Sequence, residues 1–135
     1  MRSAIGANDW VVVSLRTWAA QWHAIDSSDA SLPSVLGRIK AQREGAHSGG
    51  PVRQVFPEVY RGDGLLVQRA LHFGDGVMRE TAAAHYLVPP PPRGPTARVK
   101  AELLGLSVRT YWVRVDGLHS YLAGWLARET ASESF

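Results

Sequence analysis

Apolar residues recur at helical spacing near the start of the chain. Asn8 and Asp9 are candidate N-caps, and the positions that follow them are apolar at i, i+4, i+7, i+11 and i+14: Val11, Leu15, Trp18, Trp22 and Ile25. This pattern predicts one amphipathic helix with a single buried stripe. A short helix is predicted next in "SLPSVLGRIKAQ", with Ser31 or Ser34 as its cap.

The middle of the chain alternates between loop-forming and helix-forming segments. Residues 44–64 contain glycine and proline without a helical period, which predicts a long loop or arm. Asp63 is then predicted to cap a helix in "GLLVQRALHFG", and "VMRETAAAHYLV" forms another after the next Asp-Gly pair. The run "PPPPRGP" cannot continue a helix, because proline lacks a backbone donor and clashes with the preceding turn.

These elements predict an all-α fold. Strand signals are scarce, and the best of them, "WVVV", is better explained by the helical period around it. No internal repeat is detectable. We expect one helical domain over residues 1–135: N-terminal helices over 1–88, a stiff proline-rich linker over 89–95, and two helical segments over 96–127.

The two C-terminal segments have the pattern of a helix-turn-helix. In "KAELLGLSVRTYWVRV", Ala101 allows close helix approach and Gly105, four residues later, allows the positive φ of a tight turn. Leu104 and Leu106 bracket the turn, and Ser107 is predicted to cap the second helix. The apolar stripe of that helix is predicted to comprise Tyr111, Val115, Leu118 and Leu122.

The opposite face of the second helix carries the candidate DNA contacts. In this motif the first turns of the second helix meet base edges in the major groove, where arginine can pair with guanine. The predicted contacts at and after the cap are Ser107, Val108, Arg109, Trp112 and Val113, with Asp116 on the same face. The residues predicted to meet phosphates are Arg98, Lys100 and Arg114. The alternative is an ordinary helical hairpin with Trp112 half-buried.

Composition narrows the class of protein. A chain of 135 residues supports one modest core. Its net charge of +3 is a weak bias toward polyanionic partners. The absence of cysteine excludes disulfides, thiolate zinc sites and cysteine nucleophiles, and it permits a reducing cytoplasm. There is no apolar run of 18 or more residues, and "MRSAIGANDW" lacks the features of a signal peptide. We therefore expect no membrane association and a cytoplasmic location.

Catalysis is not expected. The five histidines stand apart without metal-ligand spacing, and no phosphate-binding loop follows a strand. A magnesium nuclease using Asp63, Asp75 and Asp116 is the alternative, but each of these residues precedes glycine, which is typical of caps and turns. We expect no enzyme activity, no cofactor and no metal.

A single module of this kind binds DNA weakly. It buries about 600–1,000 Å² of protein surface. Roughly four phosphate contacts would give a salt slope of about −3.6. We therefore expect a dimer, binding at tandem sites, or binding beside a second DNA-bound partner.

The order of several segments resembles a known family. "LRTWAAQW", "GDGLLVQRAL", "AAHYLVPPPP" and "KAELLGLSVRTYWVRVDGLHSYLAGWL" are similar, in that order, to the lambdoid phage antitermination protein Q family. The similarity is to the small, zinc-free branch, whose helix-turn-helix is like the promoter-binding end of a sigma factor. The proline run departs from the family pattern, because it lengthens the linker between the N-terminal helices and the first helix of the DNA-binding motif.

The resemblance implies a late-gene regulator in a bacterial host. Such a protein binds DNA near the late promoter, loads onto RNA polymerase paused there with its sigma factor, and forms a collar around the RNA exit channel, so that polymerase ignores terminators. DNA reading would then fall on Val108, Arg109, Trp112 and Val113, with Arg114 on the backbone.

The resemblance also suggests a role for a basic arm at about residues 38–62. Between residues 38 and 61 two acidic residues, Glu44 and Glu58, are outnumbered by basic ones: Arg38, Lys40, Arg43, Arg53 and Arg61. This arm would face polymerase or nascent RNA. The alternative for it is a solvated loop. The alternatives for the whole protein are a simple DNA-binding repressor or activator and a helical protein-interaction module.

Overall fold

The computed structural model describes residues 2–25, 31–33, 35–37 and 60–133, with side chains described over 9–24, 31–33, 35–37 and 60–130. All regular structure in these ranges is helical, and they contain no strand. The prediction of an all-α fold is therefore confirmed.

The first helix, α1, spans Arg2–Ile25. Asn8 and Asp9 lie inside it, so their prediction as caps is wrong. The preceding residues are mostly compatible with a helix, and the helix begins several residues earlier. The predicted stripe is confirmed where side chains are described: Val11, Leu15, Trp18 and Trp22 are all buried.

Helix α2 spans Asp63–Phe73 and packs along α1. Its N-cap is Gly62 at a φ of 60°, without a side-chain capping bond, so the prediction that Asp63 caps this helix is wrong. Asp63 instead faces α1, where its Oδ2 accepts from Trp10 Nε1 at 3.2 Å and from Ser14 Oγ at 3.4 Å. The carboxylate is used to join two helices because both donors lie across the interface and not on its own backbone.

Helix α3 spans Gly76–Ala82 and continues as a π-helical segment over Ala83–Leu87. Asp75 caps α3 by accepting from the Met78 amide at 2.8 Å. Arg79 reaches back to the end of α2, where its Nη1 donates to three carbonyls, those of Leu71, His72 and Gly74. The helical path ends before the prolines, which form turns in which the Gly94 amide donates to Pro90 O at 3.0 Å.

The C-terminal part consists of α4, Ala97–Leu103, and α5, Val108–Glu133. Thr96 caps α4 by accepting from the Val99 amide. Helix α5 is continuous through Asp116 and Gly117, so this Asp-Gly pair is neither a cap nor a turn, contrary to expectation.

Two apolar clusters share helix α5. The main cluster joins α1, α2, the π-helical segment, Leu32 and Val35 to the middle and later turns of α5 through Leu118, Leu122 and Leu126. The smaller cluster contains Ala101, Tyr111 and Val115. Helix α5 therefore connects the α4–α5 pair to the body of the protein. No helix in the described ranges is sufficiently long and apolar to span a membrane.

Candidate nucleic-acid interface

The turn between α4 and α5 depends on Gly105. This residue has a φ of 75°, as the sequence predicts, and a Cβ at this position would meet nothing within 4 Å. The glycine is therefore required by backbone conformation and not by lack of space. The Leu106 amide donates to Ala101 O at 2.8 Å and closes the end of α4. Leu104 and Leu106 pack on the smaller cluster, as predicted.

Ser107 caps the exposed start of α5. Its Oγ accepts from the Thr110 amide at 3.1 Å and donates to Thr110 Oγ1 at 2.9 Å. The prediction of this cap is confirmed. The side chain of Ser107 remains exposed, but its hydroxyl is already committed to the helix end.

The two faces of α5 separate as the periodicity predicts. Tyr111, Val115, Leu118 and Leu122 are buried. The side chains at the start of the opposite face are exposed: Val108, Arg109, Trp112, Val113 and Asp116. The structure therefore brings the predicted base-contacting residues together on one surface, which we call the outer face of α5.

Trp112 is held in place on this outer face although 43% of it is exposed. Its ring meets His85 edge-to-face with centroids 5.4 Å apart, and it meets Tyr111 in the same way at 5.5 Å. Beneath it, Tyr111 Oη lies 2.8 Å from His85 Nδ1. The indole is thus oriented from below while its upper side is open to solvent.

Two histidine–tyrosine pairs fasten the π-helical segment to α5. Besides His85 and Tyr111, Tyr86 Oη lies 2.6 Å from His119 Nε2. Burial, followed by the positive charges of Lys100 and His119, lowers the pKa of His85 to about 4. Burial also lowers the pKa of His119, against the opposing effect of Asp116. Sequence reasoning missed both pairs, because partners 26 and 33 residues apart carry no spacing signal.

Lys100 is not on the predicted phosphate-binding surface. Only 4% of it is exposed, and its ammonium donates to Val88 O at 3.0 Å. Burial lowers the pKa of Lys100 to about 8. Its prediction as a phosphate contact is therefore wrong, because the side chain is used to tie α4 to the end of the π-helical segment. Arg98 is exposed and Arg114 is half-buried.

Of the five basic residues predicted for the arm, one, Arg61, lies within the described ranges. Arg61 is exposed, and its backbone is joined to Gln21 by two hydrogen bonds, one in each direction. The other predicted arm residues, Arg38, Lys40, Arg43 and Arg53, lie outside the described residues.

The carboxylates considered for magnesium have separate positions. Asp63 binds Trp10 and Ser14, Asp75 caps α3, and Asp116 is exposed on α5. Over the described ranges, no group of three or more potential metal-ligating side chains is close enough to hold an ion.

Comparison with known proteins finds no match. No family model, no curated protein and no solved structure matches this chain. The resemblance to the antitermination proteins therefore stays a proposal that depends on the segments quoted above.

Proposed function

We propose that α4, the turn at Gly105 and the start of α5 act as a helix-turn-helix that binds double-stranded DNA. The observation that carries this proposal is the outer face of α5, which presents Arg109 beside Val108, Trp112 and Val113 at a capped, exposed helix end. An arginine at such a position can donate to O6 and N7 of guanine in the major groove. An ordinary hairpin has no need to support Trp112 from below and leave its upper side open.

The module offers few cations for contact with DNA phosphates. With Lys100 buried, Arg98 on α4 and Arg114 near the start of α5 are the cations close to the turn that remain for phosphates besides Arg109. Two phosphate contacts give a salt slope of only about −1.8. One isolated module would therefore bind weakly, which supports binding as a pair, at tandem sites, or beside another DNA-bound protein.

We further propose that the chain is a phage-type antitermination factor that uses this DNA contact to load onto bacterial RNA polymerase with its sigma factor. The support is the order of the similar segments: "LRTWAAQW" lies in α1, "GDGLLVQRAL" enters α2, and the last segment runs from the second half of α4 through most of α5. A weak DNA module suits a factor whose stable complex is with polymerase, because DNA is then required only for loading.

The test is purified transcription from the candidate late promoter, with an intrinsic terminator placed close to it or several hundred base pairs downstream. Added protein should raise readthrough at both distances, since the factor travels with polymerase. Deleting the promoter-proximal element should remove the effect. An effect on initiation with unchanged termination at both distances would instead establish a simple repressor or activator.

The same assay and a binding titration separate the roles of the arginines. Arg109→Ala should lose about 1–3 kcal/mol on the preferred sequence and fail to load, whereas Arg98→Ala should weaken binding to all sequences alike. Arg69→Ala is the matched control, because it removes another exposed arginine, one that lies on α2. Equal losses for Arg109→Ala and Arg69→Ala would contradict the proposed DNA-binding face.

A further inference from the structure

The outer face of α5 exposes more apolar surface than an arginine-guanine contact requires. Val113 is 60% exposed, and Val108 at the first position of the helix is also exposed. Neither belongs to the smaller cluster, which is filled by Ala101, Tyr111 and Val115 with their neighbours. These two valines therefore contribute to a surface and not to the core.

The position of Val113 relative to Arg109 defines what it can reach. The two residues are four apart on α5 and both are exposed, so they lie on the same face, separated by about 6 Å along the helix axis. Base pairs repeat at about 3.4 Å along DNA. With α5 in the major groove, Val113 therefore lies about one to two base steps from the base that Arg109 contacts.

Valine can recognise only one feature of the major groove. It has neither donor nor acceptor, so it cannot distinguish the polar edges of bases, but the C5-methyl group of thymine is an apolar target. We propose that Val113 reads a thymine methyl one to two base pairs from a guanine read by Arg109, with Val108 packing at the groove beside them. This inference rests on the proposed DNA binding and specifies the sequence that the site prefers.

Double-stranded DNA fits this surface better than a protein partner does. The valines are interleaved with Arg109 and flanked by Arg114 and Asp116, so a flat apolar partner would have to bury charged groups beside each apolar contact. On DNA the same arrangement places Arg109 against acceptors on guanine, Arg114 beside a phosphate and Val113 against a methyl group, and a carboxylate such as Asp116 can accept from the amino group of cytosine. The mixture of charged and apolar side chains therefore matches a guanine with a thymine one to two base pairs away.

The experiment removes single methyl groups from the DNA. A duplex enriched from a random library by the full chain is prepared with each thymine replaced in turn by deoxyuridine, and binding is titrated with the wild type, Val113→Ala and Val77→Ala. Burial of one methyl contributes ~0.8 kcal/mol, so one uracil substitution should weaken wild-type binding about fourfold, at 1.4 kcal/mol per tenfold. That thymine should lie within three base pairs of the guanine that Arg109 contacts. This guanine is identified by replacing it with 7-deazaguanine, which should weaken binding of the wild type but not of Arg109→Ala.

The variants decide which side chain reads the methyl group. In Val113→Ala the effect of the uracil should fall below about twofold, whereas Val77→Ala, which shortens an exposed valine of α3, should keep the full effect. Val113 is exposed, so the variant is expected to fold normally. Sequence enrichment with no uracil effect, or an equal effect in wild type and Val113→Ala, overturns this inference alone. A failure to enrich any sequence overturns the proposed function and this inference together.

Discussion

His85 is the residue at which the body of the protein meets the outer face of α5. It contacts Tyr111 through a hydrogen bond and Trp112 through its ring, and it faces Lys100 and His119. A neutral imidazole suits this position, because a charged one would be desolvated beside another cation. The orientation of Trp112 therefore depends on a histidine that stays unprotonated at neutral pH.

The lowered pKa of His85 predicts that the protein loses stability in acid. The unfolded His85 takes up a proton below about pH 6.5, whereas the folded residue does so only near its pKa of about 4. The unfolded state thus binds more protons between these values, so the free energy of unfolding falls as pH is lowered through this window. His85→Gln should show a smaller drop in melting temperature between pH 7 and pH 4.5 than the wild type does.

A second variant separates titration from packing. Tyr111→Phe removes the hydroxyl partner but keeps the histidine, so it should lower the melting temperature at pH 7 and retain the acid-dependent drop. Identical acid slopes for the wild type and His85→Gln would show that the lowered pKa of His85 is not what destabilises the protein in acid.

At the scale of elements, the direction in which α5 leaves α4 is set by four residues, 104–107. Leu104 ends α4, Gly105 turns the chain with a positive φ, Leu106 covers the smaller cluster, and Ser107 starts α5. Each residue has one task, and only the glycine is irreplaceable on grounds of backbone conformation. The placement of the outer face therefore depends on this turn.

The corresponding prediction is that Gly105→Val lowers the free energy of unfolding by more than ~1 kcal/mol, because a β-branched residue resists positive φ. Gly105→Asn should be milder, since asparagine enters this region more readily. Gly117→Ala is the control inside α5, where open space lets alanine raise stability by about 0.5–1 kcal/mol. Chemical denaturation measures all three. An unchanged midpoint for Gly105→Val would mean that the turn does not need its φ of 75°.

At the scale of the whole molecule, α5 is a single helix with two environments. Its first turns belong to the proposed DNA-binding pair, and its later turns, with Leu118, Leu122 and Leu126, complete the main cluster. Because one continuous helix takes part in both the α4–α5 pair and the main cluster, it fixes the position of the outer face relative to the body of the protein. The module is therefore not a separate unit attached by the proline-rich segment alone.

We expect Leu122→Ala to lower the free energy of unfolding by about 2–5 kcal/mol, the usual cost of emptying a buried leucine site. Leu103→Ala, in the exposed part of α4, should change it by less than about 0.5 kcal/mol. At a temperature where Leu122→Ala is still folded, the proposed DNA binding should be the same for this variant as for the wild type, since Leu122 lies away from the outer face. If Leu122→Ala lost DNA binding without being destabilised, the assignment of Leu122 to the main cluster and not to the DNA-binding part of α5 would be contradicted.

The helical class, the buried stripes of α1 and α5, the glycine turn and the serine cap could all be predicted from the sequence alone. All of these depend on residues within a few positions of one another, and local periodicity reports such relations directly. The pattern likewise placed Arg109, Trp112 and Val113 on an exposed face, because the burial of Tyr111 and Val115 leaves them no other side.

The partners of several long polar side chains could not be predicted from the sequence, because they depend on how the helices pack. Lys100 reaches a carbonyl 12 residues away, Asp63 binds donors on α1, and His85 lies under Trp112. A lysine two positions after an arginine looks like a surface cation, and an aspartate before a glycine looks like a cap, because the sequence does not show which distant groups lack a hydrogen-bond partner. Burial makes such groups costly to leave unpaired, and the folded chain therefore uses them as its internal ties.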